Sequence, residues 1–307
     1  MSKLAIYTLA AALAACSAPE RSEAQTEQAP VQAGAAETDS VSVLSVTRAG
    51  NSEGRTVVLI PGLASSSEVW DAAVPYLEAD YDVRLVQVAG FAGAAPADTD
   101  GPVTDAIAAA LVDMLTEDPG REPVLVGHSM GGFVSIKAAL LAPDMIDELV
   151  IVDSVPFLAG LFFPGATPDV AAVQGSAMAQ QMATMPRDAF DAQQQAGLPR
   201  LVKTEGFLSE LAGWGAASDQ AVVSAITGEM IGANLRADLA GLQTEALIMV
   251  PYDQAMGVPR EQIEGVYAAQ YAAAPNARFD VIENSFHFIM IDQAEAFQTS
   301  LLKALAD

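Results

Sequence analysis

Cysteine, histidine and basic side chains are all scarce in this chain of 307 residues. The single cysteine, Cys16, excludes a disulfide within the chain and a cysteine-rich zinc site. Fourteen Lys and Arg against 39 Asp and Glu give a formal net charge of -25. Nucleic-acid binding and adsorption to anionic lipid both need a basic patch, so this balance argues against them. We interpret the acidic surface as an aid to solubility, with a preference for neutral or cationic substrates as the alternative.

One short apolar run, from Leu4 to Ala15, follows the positive charge of Lys3. It is too short for a membrane span, which needs about 20 residues, but has the length of a signal-peptide core. The run ends in Leu-Ala-Ala-Cys16, which resembles the lipobox of bacterial lipoproteins, whose cysteine carries the lipid. We therefore expect residues 1–16 to be a lipoprotein signal peptide with Cys16 as the lipidation site. An ordinary secretory signal with an incidental cysteine is the alternative.

The residue after this cysteine, Ser17, resembles the pattern that sorts lipoproteins to the outer membrane. We expect an exported protein, anchored by its lipid to a bacterial membrane and facing the periplasm. Residues 17–40 lack aromatics and any apolar period, so they predict a disordered tether. The folded domain is then expected to cover residues 41–307.

Within that domain, β-branched runs alternate with helical patterns. This alternation predicts an α/β fold with a mainly parallel sheet covered on both faces, and with ligand sites at the carboxyl ends of the strands. The predicted strands are 42–47, 56–60, 83–88, 123–127, 149–152, 246–250 and 278–282, and the predicted helices are 67–77, 103–115, 130–141, 260–271 and 294–305.

Residues 155–240 interrupt the alternation, with helical patches and no convincing strand. We predict a helical insertion over the strand ends, with a disordered excursion as the alternative. Apolar side chains such as Phe157, Phe162 and Phe163 argue against disorder. They are candidates for lining a substrate pocket, although packing between helices would account for them equally well.

The segment Gly-His-Ser129-Met-Gly-Gly lies between a predicted strand and a predicted helix, which is the setting of the nucleophile-elbow motif G-x-S-x-G. A serine in this sharp turn projects its hydroxyl from the sheet, and the glycines let the strand and helix backbones approach each other. We predict that Ser129 is a nucleophile. A glycine-rich turn with an idle serine is the alternative.

A serine nucleophile needs a base, and the chain has only two histidines, His128 and His287. The side chain of His128 leaves the turn in a different direction from that of Ser129. His287, a few residues past the last predicted strand, is therefore the predicted base.

The histidine in turn needs a carboxylate that fixes its tautomer. Asp253 follows the predicted strand 246–250 and gives the chain order Ser129, Asp253, His287. Asp153, at the end of the strand 149–152, is the rival. We prefer Asp253 and keep Asp153 as the alternative acid.

A tetrahedral intermediate also needs two backbone N–H donors. Met130, the residue after the nucleophile, is predicted to supply one. The loop after the strand 56–60 is predicted to supply the other from Leu63.

These features together resemble the α/β-hydrolase superfamily over roughly residues 55–305. The resemblance implies the α/β-hydrolase fold, with residues 155–240 as a helical cap inserted before the acid-bearing strand. Some members carry the acid on the earlier strand. The family usually has His-Gly where this chain has Pro61-Gly62. The resemblance rests on the segments 59–63, 127–132, 249–253 and 287–297.

Haloalkane dehalogenases and epoxide hydrolases of this fold use an aspartate as nucleophile, so Ser129 implies acyl transfer to water instead. We expect hydrolysis of a carboxylic ester, or of a lactone, thioester or amide, through an acyl-enzyme and without metal or organic cofactor. The alternatives are a cofactor-free perhydrolase or haloperoxidase and a non-catalytic binding protein. The expected partner is a small acyl substrate, with membrane contact only through the lipid and the oligomeric state left open.

Overall fold

The structure is a computed structural model that describes residues 42–163 and 165–306. The predicted signal peptide, its Cys16, the predicted tether and the first residue of the predicted domain lie outside the described residues.

Seven strands form one sheet within the described residues, in the order β1-β3-β2-β4-β5-β6-β7. β1 runs antiparallel to β3, and the other neighbours are parallel, which confirms the predicted mainly parallel sheet. The strands are β1 (Leu44–Gly50), β2 (Arg55–Ile60), β3 (Tyr81–Val88), β4 (Val124–His128), β5 (Glu148–Val152), β6 (Glu245–Tyr252) and β7 (Ala277–Glu283).

Successive residues of the central strands face opposite sides of the sheet, so each side has its own apolar core. Val58 and Ile60 of β2 belong to one core, and Val57 and Leu59 to the other, all without exposed area. This two-sided burial explains why the strands are continuous β-branched runs rather than alternating ones.

Helices cover both faces of the sheet. Among the described residues, no helix combines the length and the apolar character that a membrane span requires. The helices are α1 (Val74–Leu77), α2 (Val103–Glu117), α3 (Met130–Leu141), α4 (Ala159–Phe162), α5 (Pro168–Thr184), α6 (Arg187–Gly197), α7 (Leu208–Ala217), α8 (Gln220–Gly232), α9 (Arg260–Gln270), α10 (Ile289–Asp292) and α11 (Ala294–Ala306).

The predicted single helix over residues 67–77 is wrong. The structure has a 3-10 turn at Ser67–Trp70, capped by the Ser66 side chain, and then the short α1. Pro75 lies inside the predicted span, and its missing N–H removes one bond that a continuous helix would need.

Helices α4 to α8 occupy the segment between β5 and β6. They contact loops that follow several strands: the amide of Asp219 donates to the carbonyl of Gly90 after β3, and Trp214 donates to Glu68 after β2. The carbonyl of Leu201 accepts from the amide of Phe288, which follows β7. The insertion therefore lies at the carboxyl edge of the sheet.

Candidate active site

The ends of β4 and β5 place Ser129 and Asp153 side by side. His128 is paired with Val152 in the parallel register, so the next residues of the two strands stand at the same level. The amide of Ser129 donates to the Val152 carbonyl over 2.9 Å, and the amide of Asp153 donates to the Met249 carbonyl over 3.0 Å. Both side chains thus start from the carboxyl edge, where such sheets bind ligands.

The backbone at Ser129 is strained. Its φ of 52° and ψ of -115° lie outside the regions that a residue with a Cβ favours, which costs about 1–3 kcal/mol. The flanking glycines are required sterically: a Cβ on Gly127 would lie 2.4 Å from the Gly131 carbonyl carbon, and one on Gly131 would lie 2.3 Å from the Ile60 oxygen. The turn therefore has the geometry expected of a nucleophile elbow, and α3 begins at the next residue.

His287 is held by a buried carboxylate, that of Asp153. Nδ1 of His287 lies 2.5 Å from Oδ2 of Asp153, and both side chains are almost fully buried. The other oxygen, Oδ1, accepts a hydrogen bond from the hydroxyl of Tyr267. Because a carboxylate can only accept, Nδ1 of His287 carries a proton, and in the neutral ring the lone pair is then on Nε2.

The preference for Asp253 as the partner of His287 is wrong in this structure. The carboxylate of Asp253 instead pairs with Lys203 from the insertion and accepts from the amide of Ala255, which begins a 3-10 turn. Burial raises the pKa of Asp253, but these hydrogen bonds and the lysine charge outweigh it, so the pKa lies below its usual value. Asp292, a further carboxylate near His287, accepts from three backbone amides, those of Lys203, Thr204 and Phe286.

His128 supports the backbone of His287. Its Nε2 lies 3.0 Å from the His287 carbonyl oxygen, so this nitrogen carries the proton, and the two rings lie 4.5 Å apart. Burial, and then the charge of a protonated His287, lower the pKa of His128 well below its usual value, although the hydrogen bond to that carbonyl opposes the shift. This shift favours the neutral form of His128 and makes it a weaker proton acceptor than an ordinary histidine.

The two predicted oxyanion donors flank the elbow. Met130 is the first residue of α3, so its amide belongs to the positive end of that helix. Leu63 follows Gly62, where an added Cβ would lie 3.3 Å from the Cβ of Ser129. In the described part of the chain, neither amide donates to another residue.

The candidate pocket residues behave differently from one another. Phe157 is buried in the core, its ring lies under the Arg236 guanidinium at 4.3 Å, and its carbonyl accepts from Gln270. These contacts favour the packing alternative for Phe157. Phe162 and Phe163 are half-buried against the same core.

Tyr267 is the residue that sequence reasoning missed. It lies on α9, at a helical position whose apolar spacing marks it only as buried. Its partner Asp153 is only the alternative acid in the sequence, and no sequence pattern connects the two residues, which lie more than 100 positions apart.

Known proteins resemble this chain in sequence and in fold. A model of the alpha/beta hydrolase family matches residues 57–298. The pimeloyl-(acyl-carrier protein) methyl ester esterase of Edwardsiella ictaluri is 34% identical over 117 residues, which are 38% of this chain and 43% of that protein. The chain thus matches less than half the length of these curated relatives.

Solved structures resemble the chain over nearly their whole length. A hydrolase from Pseudomonas aeruginosa PA01 has a TM-score of 0.68 at 20% identity and covers 86% of this chain and 94% of its own. The enol-lactonase from Burkholderia xenovorans LB400 has a TM-score of 0.69 at 18% identity and covers 86% and 96%. At these identities the likeness concerns the fold.

Proposed function

The chain belongs to the alpha/beta hydrolase family, and from this premise we propose that it is a hydrolase that cleaves carboxylic esters through a triad of Ser129, His287 and Asp153. The observation that carries the proposal is the buried contact of 2.5 Å between His287 and Asp153, next to a serine in a strained strand-to-helix turn. A buried histidine whose Nδ1 is bound to a carboxylate has its Nε2 free to accept a proton.

In the proposed mechanism, Nε2 of His287 takes the hydroxyl proton of Ser129 as the oxygen attacks the ester carbonyl. The carboxylate of Asp153 stabilises the imidazolium that forms. The amides of Leu63 and Met130 donate to the oxyanion, and one such donor is worth about 3 kcal/mol. The alcohol then leaves with the proton from His287, and water releases the acid from the acyl-enzyme by the same steps.

Esters of small alcohols are the substrates that we propose first. Several curated relatives are named for the cleavage of a methyl ester, and two of these matches include 38% and 34% of this chain. A net charge of -25 disfavours strongly anionic substrates, because the protein would repel them at low ionic strength.

Covalent labelling with a fluorophosphonate probe tests the proposal. The folded protein should react with one equivalent of probe, and Ser129→Ala should abolish both labelling and hydrolysis of short-chain methyl and p-nitrophenyl esters. Ser154→Ala is the matched control, since Ser154 is a buried serine beside the elbow and should leave the labelling intact. A folded wild-type protein that neither reacts with the probe nor cleaves any ester would contradict the proposed function.

We propose further that the enzyme is exported and anchored by a lipid at Cys16, on the basis of the sequence of its first 17 residues. Bacteria that express the full chain should incorporate labelled palmitate into the protein. Cys16→Ser should abolish this labelling and move the protein from the membrane fraction to the soluble fraction. Equal labelling of the two proteins would overturn the assignment.

A further inference from the structure

We propose that Tyr267 is a positioning residue of the triad, which holds the carboxylate of Asp153 in the orientation that His287 requires. The inference rests on the proposed function, because it assigns a role within the same site.

Asp153 is a buried carboxylate whose two oxygens have different partners. Its side chain is 3% exposed, Oδ2 contacts Nδ1 of His287 at 2.5 Å, and Oδ1 accepts from the Tyr267 hydroxyl. A buried carboxylate needs partners for both oxygens, or it loses the solvation that it had in water. With a donor on each side, rotation about the bond to the carboxylate would break at least one hydrogen bond.

The donor is held in place by its own helix. The side chains of Tyr267 and Gln270 on α9, and of Tyr271 directly after it, donate hydrogen bonds to the segment that follows β5. Tyr267 binds Asp153, Gln270 binds the Phe157 carbonyl over 3.1 Å, and Tyr271 binds the Ser154 carbonyl over 2.8 Å. The spacing of three and four residues places them on the same face of the helix. α9 therefore fixes the Tyr267 hydroxyl relative to the backbone that carries Asp153.

Tyr267 can only donate in this position. Burial, the charge of Asp153 and the hydrogen bond to it all raise the pKa of the phenol well above its usual value. Asp153 and His128 contact His287, and Tyr267 is bound to the Asp153 carboxylate. Asp292 is a further carboxylate nearby, which accepts from the amide of Phe286. Tyr271 also feels the charge of Asp153, and burial together with that charge raises its pKa. The protonated phenol donates a hydrogen bond that stabilises the negative charge of Asp153. It does not compete for the proton on His287.

The substitution Tyr267→Phe removes this donor and keeps the ring. Without the hydroxyl, the carboxylate of Asp153 can rotate out of the orientation that His287 requires. Its negative charge is also no longer shared with the phenol, so the carboxylate stabilises the protonated imidazole of His287 more strongly. We expect kcat to fall about tenfold with little change in KM, since one hydrogen bond to a charged group is lost. The acid limb of the pH profile of kcat/KM should move upward by about 0.5 pH unit.

Tyr271→Phe is the matched control. Tyr271 is another buried phenol on the same face, and its hydroxyl donates to a backbone carbonyl instead of to Asp153. We expect it to lose a similar amount of stability but to keep the wild-type pH profile. Titration with the fluorophosphonate probe counts the folded active sites, so rates per site remain comparable if a variant folds poorly.

Different outcomes distinguish a failure of the role of Tyr267 from a failure of the proposed function. Equal losses of kcat in the two variants with unchanged pH profiles would reduce Tyr267 to a structural role and overturn the inference. A wild-type protein without labelling at Ser129 would instead overturn the proposed function. If Tyr267→Phe cannot be purified, the pH profile of Tyr267→Gln, which supplies a donor that does not titrate, should lie near that of the wild type, and a displaced profile would count against positioning.

Discussion

The ends of β5 and β6 are adjacent in the sheet, and each is followed by an aspartate in a different environment. Asp153 follows Val152 at once, with a φ of 43°, and its carboxylate contacts His287 and Tyr267, which are both buried. Asp253 follows the longer β6, with a φ of -145°, and its carboxylate contacts Lys203, whose side chain is 35% exposed. One aspartate thus contacts His287, the proposed base, and the other joins the insertion to the sheet.

The register of the sheet explains the difference. Val152 pairs with Met249 in the parallel register, so Asp153 stands level with Val250, and Asp253 lies three residues farther along the chain. At about 3.3 Å per residue, the extension of β6 carries Asp253 roughly 10 Å farther past the level of Ser129. An aspartate that directly follows a strand is therefore not always the one that contacts the histidine. The length of each strand decides which carboxylate does so.

The sharpest test of this comparison exchanges each carboxylate for an amide. Asp153→Asn should lower kcat about 10⁴-fold, since the amide favours the wrong tautomer of His287. Asp253→Asn, which keeps the side-chain shape, should lower kcat less than about threefold, because only a partly exposed ion pair is weakened. Steady-state kinetics on a p-nitrophenyl ester measures both changes. A larger loss from Asp253→Asn would restore Asp253 as the acid.

Much of this site could be predicted from sequence, because its determinants are local. The predicted helix 130–141 has the bounds of α3, and the elbow that precedes it depends on steric demands that glycines reveal. Elimination among two histidines likewise needs no coordinates.

The acid and Tyr267 could not be ranked from sequence for a different reason. Both depend on how far β6 extends and on which face of α9 meets the loop after β5. These are relations between residues more than 100 positions apart, such as Tyr267 and Asp153. Neither hydrophobic periodicity nor a motif specifies them. The interrupted helix at 67–77 differs, because its determinant is local: Pro75 is part of the sequence, and it disfavours a continuous helix there.

A second prediction concerns the buried residue His128, beside His287, and the dependence of the free energy of unfolding on pH. The pKa of His128 is well below its usual value in the folded state, so the unfolded chain binds a proton below about pH 6.5 that the folded chain does not. Stability from this residue is therefore complete above that pH and is lost as the pH falls, by up to about 1.4 kcal/mol per pH unit.

The control for this effect is His128→Gln, which keeps a side-chain donor but does not titrate. Urea unfolding at pH 8.0 and 5.5 should show the wild type losing its advantage over this variant at the lower pH. A difference in unfolding free energy that is independent of pH would mean that His128 titrates alike in the folded and unfolded chains.

The smallest effect is expected where β6 meets the insertion. Lys203→Met removes the partner of Asp253 and should cost less than about 1 kcal/mol at pH 7, because Lys203 is more than one third exposed and solvent screens the pair. The folded-state pKa of Asp253 is lowered, so this contribution is present above about pH 4 and disappears as the pH falls through the lowered value. Lys203→Arg keeps the charge and should stay within a few tenths of a kcal/mol of the wild type. Urea unfolding at 0.05 M and 0.5 M NaCl should show the cost of Lys203→Met shrinking at high salt. A loss of several kcal/mol of unfolding free energy that salt leaves unchanged would show that the end of β6 is as strongly desolvated as the end of β5. The two aspartates would then differ only in their register in the sheet.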